Sequence, residues 1–362
     1  MTAPLRLGIA GANVERGWAR DAHIPALKKL PGLSVHAVSA RTQDIADAAG
    51  SAFGAARAFN DSLALARDPE VDIVVVTVKV PEHRTIVLAA LEAGKHVYCE
   101  WPLARDLPEA KELAGAARQA GAHVAIGLQG ASAPAVRHAA QLVRDGCIGK
   151  PLALRVLSST AGWGTIAPPH YAYLQDKRNG ATLASIAGGH TLAMIEEVAG
   201  AYASVAARNS ILQEHVRIAG TDETVSRTCP DHMLILGEHE NGCVSNAEIT
   251  GGESRPLQFE LRGSDGTLEI RGHHAGGYQC GALSVYCSGK HEEDAHFPFQ
   301  GLEGNPLNVG QLWSRFEQDI RSGTRTVPDF DRAVRLHRLL DCIDSASEEK
   351  RTLKVIHGET GS

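Results

Sequence analysis

The sequence predicts two domains of different class: a doubly wound parallel α/β sheet over residues 1–150, then an α+β domain over 151–362 around an open, mostly antiparallel sheet. Three observations carry this reading. The first 150 residues alternate short apolar runs with helical patterns, the order expected of βαβ units. One run, Asp72–Val78, is almost wholly apolar and β-branched, as a strand buried on both faces must be. Beyond Gly149-Lys150-Pro151 the pattern changes to successive strands with one helix among them, which reads as a single antiparallel sheet.

Each element has its own signal. Leu5–Ile9 is a strand followed by a Gly-rich turn and a segment running through Trp18 and Ile24 to Leu30. Ser34–Ser39 is the second strand and Thr42–Phe53 a helix. His83–Ala93 is a helix stopped by Gly94, and Pro108–Ala120 another ended by Gly121, glycine being the residue that closes helices most readily. His96–Cys99 and His123–Gly127 are the strands between and after them. The second domain reads as strands at Leu152–Ser158, Val205–Leu212, His232–Leu236, Gly242–Thr250, Leu257–Arg262, Gly266–Arg271 and Leu283–Cys287, with a helix at about 190–199. The tail returns to helices, Val309–Ser322 and Asp331–Glu348, with Asp329 and Asp331 placed to cap the last; these helices either stay with the second domain or pack back on the first.

Composition excludes several functions. The chain has 362 residues, 43% hydrophobic and 22% charged, with a formal net charge of −6. These are values of a folded globular protein with no electrostatic reason to bind nucleic acid or anionic lipid. No stretch approaches the ~18 apolar residues of a membrane span, and the N-terminus lacks a signal-peptide core. The seven Cys include no CxxC pair, so thiols such as Cys99 and Cys147 are expected as small core residues in a reducing, cytoplasmic setting. His273, His274, His291 and His296 lie near Cys280 and Cys287, but without zinc spacing, and read as turn and strand-end residues. No metal is expected. Glu292-Glu293-Asp294 reads as a solvated loop, and no GxSxG nucleophile motif is present.

Gly8-Ile9-Ala10-Gly11-Ala12-Asn13 follows a strand, where glycines let the backbone approach a pyrophosphate. The spacing departs from GxGxxG, so the loop alone fits a cofactor site or an ordinary βα turn. At the end of the second strand stands Ser39-Ala40-Arg41-Thr42, with no carboxylate until Asp44. An Arg backed by two hydroxyls favours NADP over NAD, because NAD selection uses an acid there.

In order along the chain, Gly8 to Asn13, Ile24-Pro25-Ala26-Leu27, Val78-Lys79-Val80-Pro81-Glu82-His83 and Gly94-Lys95-His96-Val97-Tyr98-Cys99-Glu100-Trp101-Pro102-Leu103 resemble the Gfo/Idh/MocA oxidoreductases. The resemblance continues through Gly188-Gly189-His190 to Val327-Pro328-Asp329-Phe330. Gly17-Trp18-Ala19 and the Glu-Trp-Pro in place of Glu-Lys-Pro resemble one branch, which contains the fungal galactose-pathway repressor and bacterial proteins similar to it. The resemblance implies a Rossmann domain holding NAD(P) and hydride transfer on a sugar or cyclitol. It implies cofactor contacts from Gly8, Gly11, Ala12, Asn13, Arg41, Thr77, Val78, Lys79, His83, Glu100, Trp101 and Gln129. It further implies pairing of second-domain sheets into a homodimer or homotetramer.

The departures from the family pattern bear on mechanism. The family's proton-exchanging Lys is replaced by Trp101, the Asp four residues before His190 by Ile186, and an Arg frequent in this branch by Ala131. A regulatory protein that senses NADP or a sugar is the alternative reading. His190 titrates in the right range for an acid/base. Lys79, just past a buried strand, is either a desolvated base or a phosphate contact. Tyr171, with Tyr173, Asp176 and Lys177, suits a carbohydrate-like substrate. Trp163, between Gly162 and Gly164, is either a substrate lid or a packing anchor.

Overall fold

The computed structural model describes residues 3–292, 299 and 301–356. The chain forms two compact units, residues 1–128 with 299–334, and residues 129–298 with 335–362. The crossings between units therefore fall at 128, 298 and 334. His296 and Glu293-Asp294 lie outside the described residues.

The first unit is built on six parallel strands: β1 (Leu5–Ala10), β2 (Leu33–Ser39), β3 (Arg57–Phe59), β4 (Ile73–Val76), β5 (His96–Glu100) and β6 (Val124–Gly127). Their order is β3-β2-β1-β4-β5-β6, and all pairs are parallel. The order reverses between β1 and β4, which marks the ligand crevice of an open α/β sheet. All four residues of β4 are buried, as its unbroken β-branched run predicts. The helices are α1 (Ile24–Leu27), α2 (Gln43–Phe53), α3 (Ser62–Ala66), α4 (Val80–Glu92) and α5 (Leu107–Ala120). A π-helical turn, Ala19–His23, leads directly into α1. α4 begins three residues before the position expected from the sequence. Pro81 occupies its first turn, where a missing N–H costs nothing, so His83 lies inside the helix. Asp106 caps α5 by accepting from the Glu109 amide at 2.9 Å, and Gly121 closes it at φ 63°.

The second unit opens with α6 (Gln129–Ser132) and α7 (Pro134–Arg144), followed by β7 (Pro151–Thr160), β8 (Ile166–Ala167) and α8 (Gly189–Ala199). It continues through β9 (Tyr202–Ser210), β10 (His215–Ile218), β11 (Thr224–Ser226), β12 (His232–His239), β13 (Val244–Gly251), β14 (Leu257–Gly263), β15 (Thr267–Gly272), β16 (Leu283–Cys287) and β17 (Lys290–Glu292). Nine strands form one sheet in the order β17-β16-β15-β14-β7-β13-β12-β9, closed by the late β18 (Leu353–Lys354). β7 and β13 run parallel and every other neighbour pair is antiparallel. A small sheet of β11, β10 and β8 stands apart; its strands of two to four residues were too short to leave a period in the sequence. Strand alternation is clean: Met233 and Ile235 face the core, whereas Leu234 and Leu236 face out.

After residue 298 the chain returns to the first unit with α9 (Asn305–Ser322). Trp313 and Phe316 on α9 are fully buried in the same core cluster as Leu7, Ile9, Val75 and Tyr98. α10 (Phe330–Glu349) ends the helical part. Asp329 caps it, accepting from the Arg332 amide at 2.8 Å.

Cys147 is not the free core thiol expected from the sequence. It forms a disulfide with Cys287, 140 residues away. Cys147 follows α7 and Cys287 ends β16, and only the fold makes such residues neighbours. Cys99 is buried and free, as expected.

Candidate cofactor and substrate sites

In the first unit the predicted cofactor residues gather at the β1/β4 switch point. Gly11 has φ 98°, and a Cβ there would come within 3.0 Å of Thr77 Oγ1 and of Val78 Cγ1. Only glycine allows the turn to lie this close to the end of β4. Thr77 closes the contact from the other side, its hydroxyl donating to the Ala10 carbonyl at 2.8 Å. The amides of Gly11 and Ala12 both donate to Ser39 O, at 3.0 and 2.8 Å, which ties the turn to β2. Asn13 shapes the next residues: its Oδ1 accepts from the amides of Glu15 at 2.8 Å and Arg16 at 3.3 Å. Gly17, also at positive φ (107°), ends this loop.

Gly8 has another role. It lies within β1, and a Cβ would stand 2.8 Å from Leu65 and 3.1 Å from Val71. Its absent side chain serves strand packing, and the turn glycines are Gly11 and Gly17. The spacing departs from GxGxxG from either glycine: counted from Gly11, the positions the motif gives to glycine hold Asn13 and Arg16.

Arg41 is exposed just past β2. Of the two hydroxyls expected to back it, Ser39 is fully buried with its Oγ on Ser62 Oγ at 2.8 Å, which leaves Thr42. Lys79 directly precedes α4 and is exposed. The desolvation that a base role would need is therefore missing. His83 is buried with both ring nitrogens engaged. Nε2 lies 3.1 Å from Val78 O, while Nδ1 lies 3.3 Å from Leu103 O and 3.4 Å from Cys99 Sγ. Burial holds its pKa below the ordinary histidine value. A neutral ring has one N–H; with that proton on Nε2 toward Val78, Nδ1 is left to accept from the Cys99 thiol. His83 thus holds the β4–α4 loop in place.

Glu100 ends β5, and its Oε1 lies 2.8 Å from His23 Nε2. Trp101 follows it, 5% exposed, through a cis bond to Pro102. No proton-exchanging group stands at position 101.

In the second unit His190 does not open a helix, as the sequence suggested. Ala184–Gly188 is a π-helical turn continuous with α8, so Ile186 and His190 lie one turn apart on one helical run. His190 is 3% exposed and its Nδ1 is enclosed without a hydrogen-bond partner. Burial lowers its pKa to about 3, so the ring is neutral at pH 7. Two neighbours escaped the sequence reading. The Tyr278 hydroxyl donates to the His190 carbonyl at 2.5 Å. Gly130 of α6 lies so close that a Cβ would stand 2.7 Å from that hydroxyl. Gln129 Oε1 and Ser132 Oγ, on the same short helix, are likewise enclosed without partners. Buried polar atoms left unpaired are costly unless a ligand or water completes them.

Tyr171 is 48% exposed, its ring 4.2 Å from that of His170 in a 3₁₀ stretch, Pro169–Gln175. Trp163 takes a left-handed conformation, φ 58°, between two glycines, and its indole N–H donates to Leu174 O at 3.3 Å. A buried hub anchors both segments. Arg227 donates to Asp231 at 2.5 Å, Gln175 Oε1 at 2.9 Å and Gly164 O at 2.6 Å. Asp231 also accepts the amides of Leu212 and Gln213, so this charge pair is fully hydrogen-bonded.

Among the described residues no group of three or more His, Cys, Asp or Glu forms a metal site. No helix among them is long and apolar enough to cross a membrane. His273 Nε2 pairs with Ser254 Oγ at 2.9 Å, and His274 Nδ1 accepts from the Gly276 amide at 3.0 Å.

Residues 5–128 match a family described as the oxidoreductase family, NAD-binding Rossmann fold, and residues 134–272 match the Gal80p C-terminal domain. The chain is 34% identical over 287 residues to dehydrogenase aclE of Aspergillus oryzae, an alignment covering 75% of this chain and 78% of that one. The chain belongs to the Gfo/Idh/MocA oxidoreductase family. Another member-like relative is the galactose/lactose metabolism regulatory protein GAL80 of Kluyveromyces lactis, 29% identical over 79% of this chain and 67% of the relative. In fold, the Gfo/Idh/MocA chain is similar to levoglucosan dehydrogenase in complex with NADH and L-sorbose, with TM-score 0.85, 20% identity, and 98% and 99% of the two chains covered. The family thus includes both dehydrogenases and regulators among the relatives of this chain, and its first unit is an NAD(P)-binding Rossmann domain.

Proposed function

We propose that this protein is an NAD(P)-dependent oxidoreductase acting on a neutral, polyhydroxylated alcohol or ketone of the sugar or cyclitol kind. The observation that carries the reading is the turn at Gly11, pressed against Thr77 and Val78 at the switch point of the parallel sheet. That is where backbone and pyrophosphate meet in this fold. A bound nicotinamide would accept or give the hydride. Gly11, Ala12 and Asn13 shape the turn that a pyrophosphate would approach, Thr77, Val78 and Lys79 would line the crevice, and Arg41 would favour a 2′-phosphate. Glu100, Trp101 and Gln129 complete the cofactor contacts, with His83 acting through the loop it holds. His190, neutral and with an enclosed unpaired Nδ1, would accept a hydrogen bond from the reacting hydroxyl and orient it. With burial holding its pKa at about 3, below the range expected from the sequence, it takes up the proton only where a bound ligand raises that value. Tyr171 contacts substrate. The unpaired groups around His190 are uncharged, which favours a neutral ligand.

A second reading is favoured by Trp101: the family's proton-exchanging position holds a buried indole, as suits a protein that binds cofactor or sugar for regulation. One experiment separates the two. Protein fluorescence is titrated with NADPH and NADH, then sugars and cyclitols are added while nicotinamide absorbance is followed. The oxidoreductase reading expects NADPH binding weakened selectively by Arg41→Ala, and turnover abolished by His190→Ala with binding retained. Binding without turnover of any substrate gives the regulatory reading, and no binding of either cofactor removes both.

A further inference from the structure

Glu100 is held by two residues distant from it in sequence, all three within the first unit. The indole N–H of Trp313, a group that can only donate, gives its hydrogen bond to His23 Nδ1 at 2.9 Å. That nitrogen must therefore be unprotonated. The single N–H of the neutral ring is then on Nε2, aimed at Glu100 Oε1 2.8 Å away. The ring cannot turn over easily. His23 meets Tyr98 edge-on at 5.2 Å and Trp313 at 5.9 Å between centroids, and Tyr98 stacks on Trp313 at 4.5 Å. His23 is fully buried and the Glu100 side chain is 13% exposed. The carboxylate lies across the end of β6: a Cβ on Gly127 would come within 2.5 Å of Oε2. Oε2 accepts no hydrogen bond from the described residues.

We propose that Trp313 and His23 are positioning residues that fix Glu100 as a hydrogen-bond acceptor for the carboxamide N–H of a bound nicotinamide. This rests on the cofactor reading above. In the order β3-β2-β1-β4-β5-β6, Arg41 ends β2 on the adenosine side of the switch point. Glu100 ends β5 on the other side, where the second mononucleotide half belongs. The nicotinamide carboxamide is the N–H donor of that half. Trp313 fixes the histidine tautomer, the histidine fixes one carboxylate oxygen, and the second oxygen faces the ligand.

The test compares the affinity of the whole protein for the tighter-binding reduced cofactor, NADPH or NADH, with that for its 3-acetylpyridine analogue, in which a methyl replaces the carboxamide NH₂. Wild type is expected to prefer the natural cofactor by roughly tenfold, as for a hydrogen bond to a charged acceptor. His23→Leu is expected to reduce the preference to within about twofold. His23→Gln, which keeps one acceptor and one donor, restores it. Trp313→Phe keeps a ring in the stack, removes only the indole N–H, and also erodes the preference; it decides the matter if His23→Leu does not fold. A wild-type protein that binds both cofactors equally, or folded variants with the preference intact, overturns the proposal. Failure of wild type to bind either molecule instead removes the cofactor reading on which it rests.

Discussion

Gly11 carries the cradle through what it lacks. An L side chain at its positive φ costs roughly 1–2 kcal/mol, and its Cβ would press on Thr77 and Val78 at 3.0 Å. Gly11→Ala is therefore expected to remain folded, melt a few degrees lower, and lose at least about tenfold in NADPH affinity (1.4 kcal/mol). Unchanged affinity in a titration of the folded variant would remove Gly11 from the site. The turn was legible in the sequence because glycine and Asn13 carry their backbone preference in their identity. The roles of Gly8, His83 and His190 were not. A glycine inside a strand, a histidine bridging two loops and a histidine within a buried helix have the same letters as their ligand-binding counterparts. What separates them is burial and partner, properties of the folded chain. His23 and Trp313 were missed for the same reason: 290 residues lie between the two ends of their hydrogen bond.

At the scale of elements, periodicity served best where strands are long. β14 alternates so regularly, Leu257, Phe259 and Leu261 against Gln258, Glu260 and Arg262, that one face reads as core and the other as surface, whereas β12 is apolar on both faces from Met233 to Leu236. The small sheet of β8, β10 and β11, the π-helical turns and the Cys147–Cys287 link carry no period and stayed hidden. The outer face of the nine-stranded sheet presents Leu236 at 62% exposure and Val244 at 54%, beside Leu234. An exposed apolar group of this kind on a sheet is a surface for association. Pairing of two copies through this face is our reading of it. Leu236→Glu should then shift the protein toward monomer in light scattering at equal concentration, with its melting temperature little changed. A wild-type monomer across the micromolar range would refute that reading.

Over the whole molecule, buried histidines set the response to acid. Burial depresses His190 to about 3 and His337 to about 4, and lowers His83, His96 and His239 as well. Unfolded histidine takes a proton near 6.5. Between that value and each folded value the unfolded chain binds more protons, so stability falls as pH falls. Each fully buried histidine contributes up to about 1.4 kcal/mol per pH unit in that window. Asp344, raised to about 6 by burial, acts in the opposite sense from about pH 6 down to 3.8, but it is one group against several. Denaturant midpoints measured from pH 7.5 to 5 are expected to decline steadily, and a flat profile would contradict the assignment of these rings as neutral. The fold class was readable, but β3, α3, α7 and the small sheet were not, and which domain the C-terminal helices join was open in the sequence, since no local pattern fixes the return of residues 299–334 to the first unit. That return also governs how the protein is made. Trp313 and Phe316 belong to the core of the first unit, yet they are synthesised after nearly all of the second. At ~5–20 residues per second on the ribosome, the nascent Rossmann sheet waits on the order of ten seconds or more for its last helix. Through that interval Tyr98 and His23 lack their aromatic cover, and this is the window in which a chaperone has something to hold.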